Sequence, residues 1–120
     1  MQKMIVKKPW GTYEVLLDEP NYKVKRIVVH PYERFSLQYH KHREEHWVVV
    51  EGDGIVQVNE KEYPAYVRTH WVILPTQKHR ATAGPNGLVF IETQTGDCYD
   101  EDIVRLEDDY GRLDSSEVSV

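Results

Sequence analysis

The chain has 120 residues, of which 40% are hydrophobic and 29% are charged, and its net charge is −5 at pH 7. This length suits one domain that buries a core unaided, and the single cysteine, Cys98, excludes an internal disulfide. The negative charge argues against a general nucleic-acid or membrane-surface binder, and no segment has the apolar run of a signal peptide or a membrane span. We expect a cytoplasmic domain without nucleic-acid or membrane partners.

The pattern along the chain predicts short strands separated by turn residues. Strands are predicted at residues 22–29, 35–42, 47–50, 55–58, 71–74 and 88–94. Gly52, Asp53 and Gly54 predict a hairpin turn, and residues 84–87 predict a second turn. Residues 100–108 are expected to form a short helix or a charged strand. We predict seven to nine strands at regular spacing, and this pattern is typical of an all-β sandwich or barrel.

Residues 38–46 concentrate three histidines, two glutamates and a glutamine. On an extended strand Gln38, His40 and His42 project to one side, and a turn after His42 brings Glu45 to the same centre. Imidazole nitrogens and a carboxylate suit a divalent first-row metal such as Zn, Mn, Fe or Ni. The alternative is a solvated polar edge without a ligand.

The pair His40 and His42, then Glu45, then Gly52 resembles the first metal-binding motif of the cupins, and Pro75 with His79 resembles the second. The resemblance implies a cupin double-stranded β-helix, which is a jelly-roll barrel, formed by residues 1–112. The composition of residues 113–120 predicts a flexible tail. The resemblance also implies that His40, His42, Glu45 and His79 are the metal ligands.

Longer strings make the resemblance more specific. KPWGTY (8–13), YKVKRI (22–27), SLQYHKHREEHW (36–47), DIVR (102–105) and DYGR (109–112) look like a type II mannose-6-phosphate isomerase. In many bacteria this module is the C-terminal part of a bifunctional enzyme that also makes GDP-mannose. The resemblance implies interconversion of mannose 6-phosphate and fructose 6-phosphate through an enediol, with Zn as the favoured metal and Mn, Co, Ni or Fe as alternatives.

The chain departs from the family at two turns. The family has Pro-Gly where this chain has Pro31 and Tyr32. The second motif, from Pro75 to His79, is one residue shorter than the family's and has no glycine. The turn that presents His79 must therefore differ from the family's turn.

Two ligand schemes remain open for the first motif. The distantly related type I isomerases use a Gln-x-His pair, which would place Gln38 and His40 on the metal. Strand parity does not separate the schemes, because Gln38, His40 and His42 all share one face. Imidazole is the better ligand for a borderline metal, which favours His40 and His42 and leaves Gln38 to bind substrate hydroxyls. His46 is out of phase with Glu45 and is expected to face outward.

The remaining site residues are candidates by chemistry alone. The candidates for the general base are Lys25, Tyr39 and Glu44. A substrate phosphate needs fixed positive charge, for which the candidates are Arg26, Arg43 and Arg80, with Lys25 as a fourth. The alternative for all four residues is ordinary surface charge.

Other functions fit the same motifs. One is a non-catalytic cupin that binds a sugar phosphate or a nucleotide sugar. Another is a different metal-cupin enzyme, such as a dioxygenase or another sugar isomerase or epimerase. In each case the ligand is a small molecule. The apolar stretch Met4, Ile5 and Val6 is expected to pair with a second copy, which predicts a homodimer.

Overall fold

The computed structural model describes residues 4–113, and these form nine strands and no helix. The strands are β1 (Met4–Lys8), β2 (Gly11–Glu19), β3 (Tyr22–Val29), β4 (Leu37–Tyr39), β5 (Arg43–Val58), β6 (Lys61–Tyr66), β7 (His70–Ile73), β8 (His79–Gly96) and β9 (Val104–Glu107). The all-β prediction is confirmed, and residues 100–108 contain a strand, β9. Within the described range no helix could cross a bilayer. The predicted tail lies outside the described residues, except for Leu113.

The strands pair antiparallel in one curled sheet. One path through the sheet runs β1-β2-β3-β8-β4-β9, and β5 pairs with β6, β7 and β8. The C-terminal half of β8 lies between β3 and β5, whereas its N-terminal half pairs with β5 and, through His79, with β4. Because β8 pairs with β3 and β4 as well as with β5, the sheet closes around one common interior.

The predicted hairpin turn at Gly52 and Gly54 is wrong. β5 runs through both glycines, and the register with β8 shifts between them. A Cβ atom on Gly52 would lie 2.1 Å from the Gly87 carbonyl oxygen, and one on Gly54 would lie 2.0 Å from the Thr82 carbonyl oxygen. The predicted turn at 84–87 likewise lies inside β8. The glycines therefore mark a close approach of two bent strands.

The inner face of the sheet has an apolar end built on aromatic rings. Phe35 packs edge-on against Trp10 and Trp47, with ring centroids 5.4 and 5.9 Å apart, and Trp47 stacks on Phe90 at 4.5 Å. All four side chains are buried, with exposed fractions of 1% or less. Burying aromatic rings contributes strongly to stability, so this cluster anchors the core.

The same inner face turns polar toward the other end. Along β3 the inward side chains run from Lys25 to Ile27, and along β8 they run from Phe90 to Glu92. The register pairs Lys25 with Glu92 and Ile27 with Phe90, so the change occurs at the same level in both strands. β5 repeats it, because Glu45 precedes Trp47 on the inward face. The fold thus collects buried polar groups at one end of its interior.

The predicted strand 35–42 is shorter in the structure. Regular pairing ends at Tyr39, and the Lys41 and His42 backbone N–H groups donate to the Asp102 carboxylate at 2.9 and 2.8 Å. Strand parity therefore does not extend to residue 42, because the chain turns to follow Asp102.

The turn before β8 holds a residue in a left-handed conformation. Thr76 has a φ of 72°, and its N–H donates to the His40 carbonyl at 2.7 Å. A β-branched residue is unfavourable at positive φ, so the turn stores strain beside the start of β8. The structure thus shows how the shortened second motif presents His79 without glycine.

Replacing Thr76 with glycine is expected to raise the free energy of unfolding by about 1 kcal/mol, because glycine adopts positive φ at little cost. Urea unfolding monitored by circular dichroism measures the change. The control is Lys78→Gly, an exposed position of the same turn without a positive φ. There glycine should lower stability by about 0.5–1 kcal/mol. An equal decrease in the free energy of unfolding in both variants would contradict the strain at Thr76.

Candidate metal centre

Three buried side chains bring possible metal ligands together. His40 follows β4, Glu45 lies in β5 and His79 begins β8. One ligand atom from each lies within 4.8 Å of the other two, and all three residues are at most 3% exposed. Two imidazoles and a carboxylate are a donor set that divalent first-row metals accept. The group could therefore hold a metal ion.

His79 is oriented as a ligand would be. Its Nδ1 lies 3.0 Å from the Gln77 carbonyl oxygen, which only accepts, so Nδ1 carries the proton. The buried Nε2 has no hydrogen-bond partner among the described residues and lies 3.9 Å from Glu45 Oε1. An orphaned imidazole lone pair beside a carboxylate is the arrangement that a bound cation would satisfy. The donor chemistry therefore fits a metal.

Glu45 is the most heavily contacted member of the group. Its Oε2 accepts from Arg43 Nε at 2.9 Å, and its Oε1 accepts from Trp47 Nε1 at 2.9 Å. Burial by itself would raise the pKa of Glu45, but the charge of the adjacent Arg43 guanidinium holds that pKa well below its usual range. Glu45 is therefore an ionised carboxylate in the interior.

The structure does not bring His42 into this group. Its side chain is 60% exposed, and its Nδ1 lies 3.6 Å from Asp102 Oδ2. The expectation that His42 shares a face with His40 is wrong, because β4 ends at Tyr39. Gln38 is instead buried and pairs directly with His79 across β4 and β8, which places both side chains on one face. The geometry therefore leaves His42 outside the group and places Gln38 on the same face as His79.

Of the three candidates for the general base, the structure places only Lys25 in the interior. Lys25 is 1% exposed and lies on the inward face of β3. Tyr39 follows the inward Gln38 and so projects to the opposite face of β4. Glu44 also projects outward, and its Oε2 lies 2.7 Å from Nε2 of the half-exposed His46. The prediction that His46 faces outward is confirmed.

The three candidate arginines separate in the same way. Arg43 is 1% exposed and contacts Glu45 directly. Arg26 lies on the outer face of β3, and its Nη2 is 3.4 Å from Glu51 Oε2. Arg80 is buried but projects away from His79, and it donates to the carbonyl oxygens of Phe35 and Glu107. Its position next to His79 in the chain places it on the opposite face of β8.

Sequence reasoning missed two polar residues of the site. Gln94 and Glu92 are both buried on β8, and Gln94 Nε2 donates to Glu92 Oε2 at 2.7 Å. Burial, and then the charge of Glu45, raises the pKa of Glu92 to about 8, although Lys25 and Arg43 oppose the shift. Strand parity could have found both, because Leu88, Phe90, Glu92 and Gln94 alternate within one predicted strand.

Lys25 completes the polar end beside Glu92. Its Nζ has no hydrogen-bond partner among residues 4–113, lies 4.3 Å from the Tyr13 ring centroid and is 3.7 Å from Asp100 Oδ1. Burial lowers the pKa of Lys25, although Asp100 and, once it is ionised, Glu92 oppose that shift. Lys25 is therefore held in the interior with an incompletely satisfied ammonium or amine group.

Residues 97–103, which we call the covering segment, connect β8 to β9 over this polar end. The Tyr99 carbonyl accepts from Arg43 Nη1 at 3.5 Å, and Asp100 lies 3.7 Å from both Lys23 and Lys25. Tyr99 separates two surface cavities of about 250 and 390 Å³, one lined by Lys23 and the other by His42. Neither cavity is lined by the three metal donors.

Comparison with known proteins identifies the family. The sequence profile of the mannose-6-phosphate isomerase C-terminal family matches residues 1–108. The chain belongs to this family. This chain is 41% identical over 109 residues to the alginate biosynthesis protein AlgA of Pseudomonas aeruginosa, and the match covers 89% of this chain and 23% of that protein. It is 37% identical over 108 residues to a mannose-1-phosphate guanylyltransferase of Klebsiella pneumoniae, covering 88% and 23%.

This chain therefore spans less than a quarter of the length of these relatives. Among solved structures, it is similar to an RmlC-like cupin from Shewanella frigidimarina, with a TM-score of 0.73 and 21% identity over 79% of this chain and 85% of that chain. The capsular polysaccharide assembling protein CapF of Staphylococcus aureus gives a TM-score of 0.76 at 15% identity over 88% and 34%. These likenesses confirm the cupin double-stranded β-helix.

The raised pKa of Glu92 predicts a pH-dependent stability. Folded Glu92 keeps its proton up to about pH 8, whereas its ordinary pKa is 4.5, so the folded state binds more protons between these values. The stability from Glu92 is fully present below pH 4.5 and is lost as the pH rises toward 8. Glu92→Gln, which keeps a hydrogen-bond donor without titrating, should remove this loss.

Thermal unfolding in a chelating buffer, at about pH 5.5 and about pH 8, measures the effect. From the lower to the higher pH, the melting temperature of the wild type should fall further than that of Glu92→Gln. Glu44→Gln, which changes an outward-facing carboxylate on β5, should behave like the wild type. Identical losses in all three proteins would show that Glu92 does not titrate in this range.

Proposed function

We propose that this family member is a metal-dependent sugar-phosphate isomerase that interconverts mannose 6-phosphate and fructose 6-phosphate. The observation that supports the proposal most directly is the buried group of His40, Glu45 and His79, in which the His79 Nε2 lone pair has no hydrogen-bond partner within residues 4–113. Membership of the mannose-6-phosphate isomerase C-terminal family supports the substrate class.

In this proposal the ion is held by His40, Glu45 and His79, and Gln38 is the neighbouring polar group on the same face. Zn is the proposed metal because two imidazoles and one carboxylate suit it, with Mn, Co, Ni and Fe as alternatives. A bound ion would polarise the oxygens at carbons 1 and 2 of the sugar and so favour an enediol. The Gln77 carbonyl holds the tautomer of His79 that leaves Nε2 available.

Lys25 is the proposed base. An aldose–ketose isomerisation moves one proton between carbons 1 and 2, and a single group on one side of the sugar can carry it. Burial lowers the pKa of Lys25, which favours the neutral amine that can accept a proton at Nζ. Asp100, 3.7 Å from Nζ, would then stabilise the ammonium that results.

Substrate must reach donors that are buried in the structure. We propose that the covering segment moves to admit the sugar, since its side chains and carbonyls close the polar end above Arg43 and Lys25. Lys23 and Lys41 line the two cavities beside Tyr99 and are the proposed phosphate contacts. Arg26 and Arg80 are not proposed, because neither faces this end.

The test is a coupled assay for fructose 6-phosphate formed from mannose 6-phosphate. Protein treated with chelator is reloaded separately with Zn, Mn, Co, Ni or Fe(II). Turnover should depend on the metal, and His40→Ala should lower kcat/KM at least about 100-fold, because it removes a ligand. His46→Ala is the matched control, since His46 faces outward from β5 and should retain activity.

If the protein binds metal stoichiometrically but converts mannose 6-phosphate with none of the five metals, the isomerase proposal is contradicted. The second candidate would then be a non-catalytic cupin that binds a sugar phosphate or a nucleotide sugar. The observation that favours it is the burial of all three donors, which neither cavity beside Tyr99 reaches. Calorimetric titration with mannose 6-phosphate and with GDP-mannose would identify that ligand.

We also propose that the protein is a homodimer that pairs through β1. Within residues 4–113, β1 pairs only with β2, and the side chains of Met4 and Ile5 are 59% and 57% exposed. An unpaired strand edge with exposed apolar side chains readily adds a strand from another chain.

Light scattering coupled to size exclusion should give about twice the chain mass of 14.1 kDa. Ile5→Lys should shift the protein to the monomer, because it places a charge in the apolar contact. Leu106→Lys, on β9, alters another exposed apolar side chain and should leave the mass unchanged. A monomeric wild type would rule out the proposed pairing.

A further inference from the structure

Arg43 lies inside the candidate metal centre with its guanidinium against two of the three donors. Its Nε donates to Glu45 Oε2 at 2.9 Å, and its Nη2 lies 2.8 Å from His40 Nε2. Its Nη1 reaches the Tyr99 carbonyl of the covering segment at 3.5 Å. The side chain is fully buried, so these contacts replace its water.

These contacts determine the tautomer of His40. A guanidinium only donates hydrogen bonds, so His40 Nε2 must present its lone pair to Arg43, and a neutral ring then carries its proton on Nδ1. That Nδ1 faces Glu45 Oε2 at 3.4 Å. The single lone pair of His40 is therefore occupied by Arg43.

A metal ion cannot use His40 while this contact persists. If Nε2 binds the ion, the Arg43 guanidinium must leave Nε2. If Nδ1 binds the ion, the proton moves to Nε2 and faces another donor at 2.8 Å. In both cases the hydrogen bond between Arg43 and His40 is lost.

The charges lead to the same result. Arg43 supplies a positive charge to Glu45 in a buried site, where the interaction between charges is much stronger than in water. A divalent ion at the same carboxylate would repel the guanidinium. The covering segment offers Arg43 alternative neighbours. Arg43 already donates to the Tyr99 carbonyl, and the negative charge of Asp100 attracts the guanidinium.

We propose that Arg43 is a substitute cation of the metal-free centre, and that its guanidinium competes with the metal ion for Glu45 and His40. The inference rests on the proposed metal binding, but not on isomerase activity. Arg43 would keep the ionised Glu45 satisfied before metal binds, and would withdraw toward the covering segment when the ion arrives. It is a positioning residue in this role, since it acts through the two ligands.

The test compares Arg43→Met and Arg43→Lys with the wild type. Methionine fills much of the same volume without charge, so the ion no longer displaces a cation. Zn titration by calorimetry should give a dissociation constant at least about tenfold lower for Arg43→Met. Arg43→Lys keeps the charge but not the two-pronged contact, and its constant should fall between the other two.

Thermal unfolding gives a second readout that does not depend on activity. Without metal, Arg43→Met should melt at a lower temperature than the wild type, because Glu45 loses its buried partner. Saturating Zn should then raise its melting temperature by more than it raises that of the wild type. Arg26→Met, on the outer face of β3, should match the wild type in both measurements, and His79→Ala should bind Zn weakly and so locate the site.

Weaker or unchanged Zn binding by both Arg43 variants would overturn the competition and make Arg43 a support for the bound metal. If Arg43→Met does not fold without metal, the Zn affinity of Arg43→Lys decides the question. If no folded variant binds Zn, Mn, Co or Ni, the competition fails together with the metal centre. Metal binding without turnover of mannose 6-phosphate would contradict only the isomerase proposal and leave the competition standing.

Discussion

The buried charge of Glu45 is the constraint on which the polar end of this protein depends. An ionised carboxylate in a protein interior is costly unless every lone pair is used, and removing one partner of a buried ion pair costs about 3–5 kcal/mol. Arg43 and Trp47 donate to its two oxygens, and His40 and His79 lie within 4 Å. The positions of Arg43, Trp47 and His40 are set together, because each directs an N–H group at the same charge.

The sheet supports this arrangement because its strands change from apolar to polar at a common level. Inward positions of β3, β5 and β8 carry large apolar side chains on one side of that level and charged or amide side chains on the other. Antiparallel register aligns the change across strands, as in the pairing of Lys25 with Glu92. A one-residue slip of β3 against β8 would turn Lys25 out of the interior and so destroy both halves of the pattern.

Much of the fold and part of the site could be predicted from the sequence. Alternation and turn residues predicted strand 22–29 with the bounds that β3 has, because its inward and outward positions differ in character. The hairpin at Gly52 was misread, since glycine serves a tight turn and a close approach of strands equally well. Only the partner strand, which brings the Gly87 carbonyl against Gly52, distinguishes the two.

Within the site, the resemblance predicted His40, His42, Glu45 and His79 as neighbours, and the structure brings His40, Glu45 and His79 together. His42 was also placed there by extending a strand that ends at Tyr39. The reason is non-local, because Asp102, sixty residues away, binds the backbone at residues 41 and 42. For Glu92, strand parity predicts the inward position, but the raised pKa also depends on the charge of Glu45 from another strand, which no local pattern encodes.

Trp47 joins the two ends of the interior physically. Its indole ring stacks on Phe90 of the aromatic core, while its Nε1 donates to Glu45 Oε1. The emission of an indole responds to the electric field along its ring, and here a candidate ligand carboxylate accepts its N–H at 2.9 Å. Trp47 is thus an intrinsic fluorophore whose own emission, measured after Trp10 and Trp71 are replaced by phenylalanine, should respond to the electrostatic state of Glu45.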